Sequence, residues 1–391
     1  MKYWLSFILI VSLIDASFSQ NLDSLYIQKI NDTITSKFLN SERVIQLQLP
    51  RSYNIKEKKK YPLILVLDGD YLFNLVSGSV DFLSYWKEIP ESIVIGIKQK
   101  KTRYDDSSVL DNSAFTPISS TASFYDFISN ELIPQISKEY KVNDFKILIG
   151  HERTANFANF FILKKNPKIR GVISISPKLS VNMQRYLTEY FSNSNSKIAY
   201  TISSSKMDFE SIFMGVESLS KSLDSIDNKN LLFNPIMFEN ENFYTLPSLS
   251  IPLSIKKTFS LYTDIYKAEY DSIISQLDSS PIEYLKNKYK LIEEFYDVDK
   301  QISKNDFDAI EKYIQANDQY ELYDELFKLA VQEHPGTILP SYYKGRYFEG
   351  IGEFKKAIGT YRSAYNMNDL EGLTKNDLQT LADEIEADSN Y

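Results

Sequence analysis

A short motif in the middle of the chain has the outline of a catalytic turn. The stretch ILIGHERTANFANFF, residues 147–161, reads as a strand, a sharp turn and a helix. In a G-x-S-x-G turn, glycines let a strained serine project from a strand end, and the backbone amide after the serine helps to bind an oxyanion. Here Gly150 is followed by His151, Glu152 and Arg153, so a carboxylate stands where the nucleophile would be.

A carboxylate at this position allows two chemistries in principle. Glu152 could form a covalent ester, but a base would then have to activate water for its release. Glu152 and Asp208 could instead share a proton as general acid and base, although Arg153 and Lys206 favour the ionised form of both. Hydrolysis by an atypical site around Glu152 is therefore the alternative hypothesis and not the leading one.

Other catalytic groups are scarce in the sequence. The chain has no cysteine and two histidines, and no phosphate-binding glycine motif is present, so we expect neither a metal nor a cofactor. His151 is predicted to be a structural imidazole beneath the turn, and His334 a helix-end residue. A net charge of −8 argues against a nucleic-acid partner.

The elements around the motif predict an α/β domain. Between residues 43 and 262, apolar runs alternate with amphipathic segments. RVIQLQLP alternates as an edge strand would, and the continuous apolar runs predict buried parallel strands. These runs are PLILVLDGD, SIVIGI, KILIG, GVISIS and KIAYTIS. STASFYDFISNELIPQISKEY carries apolar residues at helical spacing and is predicted to cover one face of the sheet.

The chain changes character beyond about residue 267, where helical patterns continue to its end. Phe327, Ala330 and Pro335 recur, 34 residues later, as Tyr361, Ala364 and Asp369, and the second unit reads YYKGRYFEGIGEFKKAIGTYRSAY. This segment resembles a tetratricopeptide repeat, and a generic helical hairpin with a chance spacing is the alternative. The resemblance implies an all-α array with a protein partner.

Four passages of the first region resemble the putative-esterase (esterase D-like) family of α/β-hydrolases, which includes siderophore and feruloyl esterases. They are LPRSYN followed by KKYPLILVLDGDYLF, then IVIGIKQKKTRYDD, FYDFISNELIPQISKEYKVNDFKILIGH and GVISISPKL, in order over residues 42–179. The resemblance implies a mostly parallel sheet with helices on both faces and a Ser-His-Asp triad.

The sequence departs from that family at the triad. Glu152 replaces the serine, and Thr154 and Ala155 replace the two glycines that follow, so we expect a relaxed turn. The family's histidine falls in FENENFYTLPSLS, where Asn242 is the nearest match. Asp208 matches the acid, but its place before an apolar periodic segment favours a helix cap. We therefore expect no catalytic residue at these positions.

The turn LDGD survives from the family pattern. The resemblance makes the amide of Tyr71 or its neighbour an oxyanion donor, although a turn that shapes the strand end explains the motif equally well. The candidates for binding a small molecule in the vestigial pocket are Asp68, Gly69, Tyr71, Glu152 and Arg153.

The N-terminus MKYWLSFILIVSLIDASFSQ predicts a cleavable signal peptide over residues 1–19. No lipobox cysteine follows it, so we expect a periplasmic or secreted protein with no transmembrane segment after cleavage. The predicted domains are the esterase-like region, 20–265, and the helical region, 266–391.

The leading interpretation is an exported, catalytically inactive esterase-like protein that serves as a binding or assembly module in a bacterial cell envelope. Besides the active hydrolase, a third possibility is a receptor that keeps the old pocket for a small molecule without turnover.

Overall fold

The structure, a computed structural model, describes residues 29–108, 117 and 119–389 of the 391. The predicted signal peptide therefore lies outside the described residues. The chain divides into two compact units. One extends to Tyr262 and includes Glu294–Val298, and the other comprises Thr263–Glu293 and the chain from Asp299 onward. The single predicted boundary at residue 265 did not foresee the return of Glu294–Val298 to the first unit.

The first unit is built on an eight-stranded sheet in the order β1-β2-β4-β3-β5-β6-β7-β8. The strands are β1 Lys29–Ser36, β2 Ser41–Gln48, β3 Tyr61–Val66, β4 Ile93–Ile97, β5 Val142–His151, β6 Gly171–Ile175, β7 Ile198–Met207 and β8 Leu231–Asn242. The pairs β1/β2 and β2/β4 are antiparallel, and all the others are parallel. This is the predicted mostly parallel sheet.

The predicted strands match the sheet, with two strands missed and one misplaced. All five continuous apolar runs form parallel strands, because strands buried on both faces need apolar residues throughout. The run RVIQLQLP is not an edge strand as predicted, since β2 lies between β1 and β4. The true edges, β1 and β8, escaped prediction. β1 is largely polar, and the apolar residues of β8 are interrupted by Asn234 and Pro235, which an edge strand tolerates.

Helices cover both faces of this sheet. They are α1 Gly69–Tyr85, α2 Arg103–Ser107, α3 Ser119–Asp126, α4 Ile133–Glu139, α5 Arg153–Ala158, α6 Met183–Asn193, α7 Glu210–Asp224 and α8 Leu246–Thr258. A π-helical turn, Phe127–Leu132, joins α3 to α4. Pro134 explains this turn, because it has no N–H to donate in a regular helical ladder. The predicted apolar stripe of this helix is buried, including Phe124, Phe127 and Ile136.

The second unit is helical, as predicted for the C-terminal region. Its helices are α9 Lys267–Ser272, α10 Pro281–Tyr296, α11 Lys304–Ala316, α12 Tyr323–Glu333, α13 Leu339–Gly350, α14 Phe354–Ser363 and α15 Lys375–Ser389, of which α10 ends within the first unit. Within residues 29–108, 117 and 119–389, no helix is both long and apolar enough to cross a membrane.

The contact between Gly345 and Tyr361 is the kind that a tetratricopeptide repeat requires. A Cβ on Gly345 would lie 2.1 Å from a ring carbon of Tyr361, so α13 and α14 approach at a position where only glycine fits. Ala357 and Ala364 are buried beside Tyr361, as small residues at a helix interface should be. These contacts support the repeat hypothesis, which stays a prediction.

Substituting Gly345 with alanine is expected to lower the free energy of unfolding of the helical unit by about 2 kcal/mol, because the buried Tyr361 ring must move. Gly359→Ala is the matched control. It lies inside α14 with nothing near its added Cβ, so this change should be neutral or should stabilise by up to about 1 kcal/mol. Thermal unfolding of both variants tests the difference, and equal midpoints would contradict it.

Candidate functional site

The turn after β5 is strained, contrary to the relaxed turn that the sequence led us to expect. Glu152 has φ 59° and ψ −112°, a backbone conformation that side-chain-bearing residues rarely adopt. Its amide donates to the carbonyl of Ile175 on β6 at 3.0 Å, and its carbonyl accepts from the amide of Lys178 at 3.2 Å. The turn thus keeps the geometry of a nucleophile elbow, with a glutamate at its apex.

Two neighbours of Glu152 hold this conformation in place. A Cβ on Gly150 would lie 2.6 Å from the backbone of Thr154 and Ala155, so the strand and the start of α5 touch directly. The Thr154 hydroxyl accepts from the amide of His151 at 2.9 Å and donates to the Asp68 carboxylate at 2.7 Å. Thr154 and Ala155, which replace glycines of the family pattern, are therefore accommodated, and Thr154 reinforces the turn.

Arg103 is the centre of the charged network at the elbow. Its Nε and Nη2 donate to the two carboxylate oxygens of Asp68 at 2.7 and 3.1 Å. Its Nη1 donates to Oε2 of Glu152 at 2.9 Å, and Nη2 also donates to the carbonyl of His151 at 2.9 Å. One guanidinium thus binds a carboxylate that is 2% exposed and the carboxylate at the elbow apex.

A second layer of polar contacts positions Arg103 on α2. Asp106, one turn further along α2, forms a buried ion pair with Arg43 of β2 at 2.6 Å. The Gln99 side-chain amide donates to Asp106 at 3.1 Å, while its oxygen accepts from the amide of Asp68 at 2.8 Å. The helix that carries Arg103 is therefore fixed to the sheet and to the β3 turn.

The network determines the charge state of the elbow. Burial alone would raise the pKa of Glu152, but the hydrogen bond and the charge of Arg103 outweigh it, so the pKa is lowered. Burial alone would lower the pKa of Arg103, but Asp68 and then Glu152 raise it above its usual range. Glu152 is consequently an ionised carboxylate at neutral pH, paired with Arg103.

Glu152→Gln is expected to make the protein less stable at pH 7 by about 1 kcal/mol, because the charge-assisted bond to Arg103 becomes a neutral one. Since the folded-state pKa of Glu152 is lowered, its stabilising contribution is present above the unfolded-state pKa. That contribution should decline once the pH falls below the unfolded-state pKa of about 4.3, and it should be lost as the pH falls through the lowered folded-state pKa. Chemical denaturation between pH 3 and 7 measures it.

The control is Glu189→Gln, which removes an exposed carboxylate that pairs with Arg185 four residues earlier on α6. This variant should differ little from the natural protein at any pH, since exposed pairs are worth about 0.5 kcal/mol or less. A Glu152→Gln effect that persists unchanged at pH 3 would contradict the ion pair.

His151 is buried behind the elbow and is held by Tyr71. The Tyr71 hydroxyl lies 3.2 Å from an oxygen of Asp68 and 3.0 Å from Nδ1 of His151. Because the carboxylate can only accept, Tyr71 donates to Asp68 and the His151 Nδ1–H donates to Tyr71. Burial lowers the pKa of His151 to about 4, and Nε2 has no hydrogen-bond partner among the residues described.

Phe243 and not Asn242 faces the elbow from the end of β8, which corrects the sequence assignment. The Phe243 ring packs 4.6 Å from His151 and 5.1 Å from Phe209, beside Asp208. Asn242 is exposed, and its side-chain oxygen accepts from the amides of Tyr244 and Thr245 at 2.9 and 3.1 Å. A phenyl ring therefore packs against the imidazole that precedes the apex of the elbow.

Asp208 is not the cap of the next helix, as the sequence suggested. The N-cap of α7 is Phe209, and no side chain caps it. The Asp208 carboxylate instead accepts from the hydroxyls of Ser176 at 2.6 Å and Ser204 at 2.9 Å. It therefore ties together the loops that follow β6 and β7.

The candidate ligand contacts lie in different surroundings. Asp68 is buried and already accepts from Arg103 and Thr154. A Cβ on Gly69 would meet the backbone of β4 at 2.9 Å, so this residue packs against the sheet. The amide of Tyr71 donates to the carbonyl of Asp68 at 3.1 Å, which engages the predicted oxyanion donor in the first turn of α1.

Arg153 is partly buried, whereas Tyr71 is 51% exposed and is the most exposed of the candidates. The Arg153 guanidinium lies 4.6 Å above the ring of Tyr104 and approaches Glu152 at 3.8 Å. Ligand contact by the candidates stays a prediction. No group of acidic and histidine side chains in the described part of the chain is arranged to hold a metal ion.

The sheet order and the strained elbow define the first unit as an α/β-hydrolase fold. Residues 36–226 match the family model described as Putative esterase. No curated protein matches the chain by sequence.

Three solved structures resemble the chain. An uncharacterised protein from Capnocytophaga ochracea is 24% identical with a TM-score of 0.79, and the match covers 92% of this chain and 100% of that one. An IroE-like serine hydrolase from Shewanella oneidensis is 18% identical with a TM-score of 0.57, over 77% and 98%. The BES protein from Bacillus cereus is 19% identical with a TM-score of 0.52, over 60% and 97%. At these identities the likeness shows the fold.

Two site residues were missed in the sequence. Arg103 occurs in the stretch KQKKTRYDD, where it is one of several cations and nothing in the local pattern separates it from the others. Phe243 follows the chosen Asn242 directly, and the spacing to Pro247 in a D-H-G-S-V-P pattern would have indicated it. That spacing was the one available signal.

Proposed function

We propose that the α/β unit is a non-catalytic, esterase-like binding module. One observation carries this proposal: the side chain at the elbow apex, Glu152, is a carboxylate paired with Arg103 at 2.9 Å. A nucleophile must approach the substrate with a free electron pair, and this one is neutralised by a guanidinium that is itself fixed to Asp68.

The absence of a suitable base supports the same conclusion. A general base works best when its pKa is near the operating pH, whereas the pKa of His151 is about 4. His151 is also buried, and its Nδ1 is engaged by Tyr71. Phe243, in the position facing Asp208 and the elbow, has no group that could accept a proton.

A second candidate function, ester hydrolysis with Glu152 as a carboxylate nucleophile, is favoured by one observation. Glu152 retains the strained φ of 59°, and backbone strain is usually kept where it serves a mechanism. Against it stands the ion pair with Arg103, and burial lowers the pKa of the adjacent imidazole of His151 to about 4, which makes it a weak base for activating water. The close approach of Gly150 to the start of α5, and the hydrogen bond from the His151 amide to the Thr154 hydroxyl, account for the strain without catalysis.

The turnover of short-chain chromogenic acyl esters tests the proposal. The natural protein is expected to release chromophore no faster than buffer, and Glu152→Ala should behave identically. Turnover by the natural protein that Glu152→Ala abolishes would establish the carboxylate enzyme instead. Turnover that Glu152→Ala leaves unchanged would show that the catalytic group lies elsewhere. It would also contradict the proposal that this unit is non-catalytic.

We also propose that the chain is exported and acts in the cell envelope through its helical unit. The apolar N-terminal run with small residues before Gln20 supports export. Exposed apolar side chains in the helical unit, among them Ile351, Phe354 and Tyr365, support a protein partner. N-terminal sequencing of the protein from a periplasmic fraction should begin at Gln20, and an intact Met1 would contradict export.

The partner is tested by affinity capture from an envelope extract with the full chain. A partner should be retained by the natural protein and lost with Phe354→Glu, while Met237→Glu, at an equally exposed position on the α/β unit, should retain it. Equal loss with both variants would argue against the helical unit as the binding surface.

A further inference from the structure

A cavity of about 170 Å³ opens beside the π-helical turn on the side of the sheet covered by α3 and α4. It lies away from the elbow, between that helix and the segment that follows α5. Its lining consists of Tyr125, Ser129, Asn130, Ile133, Phe161, Lys164, Asn166, Lys168 and Ile169. Ile133, Phe161 and Ile169 form an apolar floor, and every other lining side chain can donate a hydrogen bond. No carboxylate is among the lining residues.

The cavity carries two positive charges that lack acidic partners. In the part of the chain that the structure describes, no ion pair joins Lys164 or Lys168 to a carboxylate. Lys164 lies 5.5 Å above the ring of Tyr125, and its partial burial lowers its pKa. Asp126 accepts from Asn130 at 3.1 Å and is not part of the lining. A bound anion would compensate the charge of Lys164.

The π-helical turn places Lys168 at the same cavity. Pro134 has no amide to donate to the carbonyl of Ser129, and the amide of Ile133 donates to Ile128 instead. The Ser129 carbonyl is thereby released and accepts from Nζ of Lys168 at 3.2 Å. An ammonium has three N–H donors, and this bond uses one of them. Lys168 is therefore held at the cavity and can still donate hydrogen bonds to a ligand.

We propose that this cavity binds the phosphate group of a small phosphomonoester. Two ammonium groups match the charge of a phosphate dianion, and lysine binds phosphate as a point charge. The buried floor of Ile133, Phe161 and Ile169 suits an apolar substituent on the ester oxygen. This site is independent of the elbow and of the proposed loss of catalysis.

Isothermal titration of the full mature chain with phenyl phosphate and with inorganic phosphate, at matched ionic strength, tests the site. Phenyl phosphate is expected to bind saturably and at least as tightly as inorganic phosphate. Lys164→Gln and Lys168→Gln should each weaken it by about tenfold, the equivalent of one charge-assisted contact. Lys165→Gln is the matched control, because Lys165 is exposed and absent from the lining.

Three results would overturn the proposal. The first is that phenyl phosphate shows no saturable binding. The second is that neither cavity variant changes its affinity, and the third is that Lys165→Gln lowers the affinity as much as the cavity variants do. Tighter binding of inorganic phosphate would overturn the phosphomonoester assignment in favour of free phosphate. Circular dichroism of each variant confirms that folding is unchanged, so that a loss of affinity can be assigned to the lysine removed.

Discussion

Replacing Arg103 with methionine is expected to lower the free energy of unfolding of the α/β unit by about 3 to 5 kcal/mol, the usual effect of removing one partner from a buried ion pair. Asp68 is 2% exposed, and Arg103 is the cation that pairs with it, donating to both of its carboxylate oxygens. Without the guanidinium, Asp68 becomes an unpaired charge in a poorly hydrated site. Chemical denaturation followed by circular dichroism measures the loss.

The matched control for this change is Arg51→Met. Arg51 donates two hydrogen bonds to Asp81 at 2.7 and 2.8 Å, the same fork as Arg103 with Asp68, but its side chain is 42% exposed. Its loss should reduce the free energy of unfolding by less than about 1 kcal/mol. Adding Asp68→Asn to Arg103→Met should restore part of the stability. Equal effects of the two arginine substitutions would contradict the conclusion that Arg103 stabilises a buried carboxylate.

Gly150→Ala is expected to destabilise the α/β unit by about 3 kcal/mol or more, because its Cβ would lie 2.6 Å from backbone atoms of Thr154 and Ala155. Backbone atoms cannot rotate away as a side chain can, so β5 and α5 would have to separate. The strained conformation of Glu152 depends on that contact. The elbow should therefore be lost together with the stability, which thermal unfolding and near-ultraviolet circular dichroism detect.

Gly78→Ala provides the comparison for this substitution. Gly78 lies in the interior of α1, and nothing lies within 4 Å of the Cβ that alanine would add. Alanine there should stabilise the helix by up to about 1 kcal/mol. A Gly150→Ala protein as stable as Gly78→Ala would mean that the elbow can relax at little cost.

The interior of the sheet was predictable because its strands are continuous apolar runs, and PLILVL and KILIG need no tertiary information to be recognised. The edges were not, because β1 and β8 are stabilised by backbone pairing with their neighbours and not by an apolar sequence. The same distinction applies at the site. Glu152 could be assigned to the site from the sequence because it lies within a recognisable motif.

Arg103 and Phe243 were not recognised because their roles depend on residues far along the chain. Arg103 meets Asp68 and Glu152, 35 and 49 residues away. The expectation of a relaxed turn was wrong for a related reason. It considered the loss of glycines within the motif, whereas the conformation is imposed by contacts of Thr154 with Asp68 and of Glu152 with β6.

The central claim is that the hydrolase scaffold persists and that the side chains at two positions remove its chemistry. Initial rates of chromogenic ester hydrolysis by the natural protein, Glu152→Ser, Phe243→His and the double variant test it most directly. The natural protein and the two single variants are expected to hydrolyse the ester at the background rate. The double variant should be at least about tenfold faster, because a serine acts only together with its base. Hydrolysis by the natural protein that Glu152→Ser abolishes would contradict it.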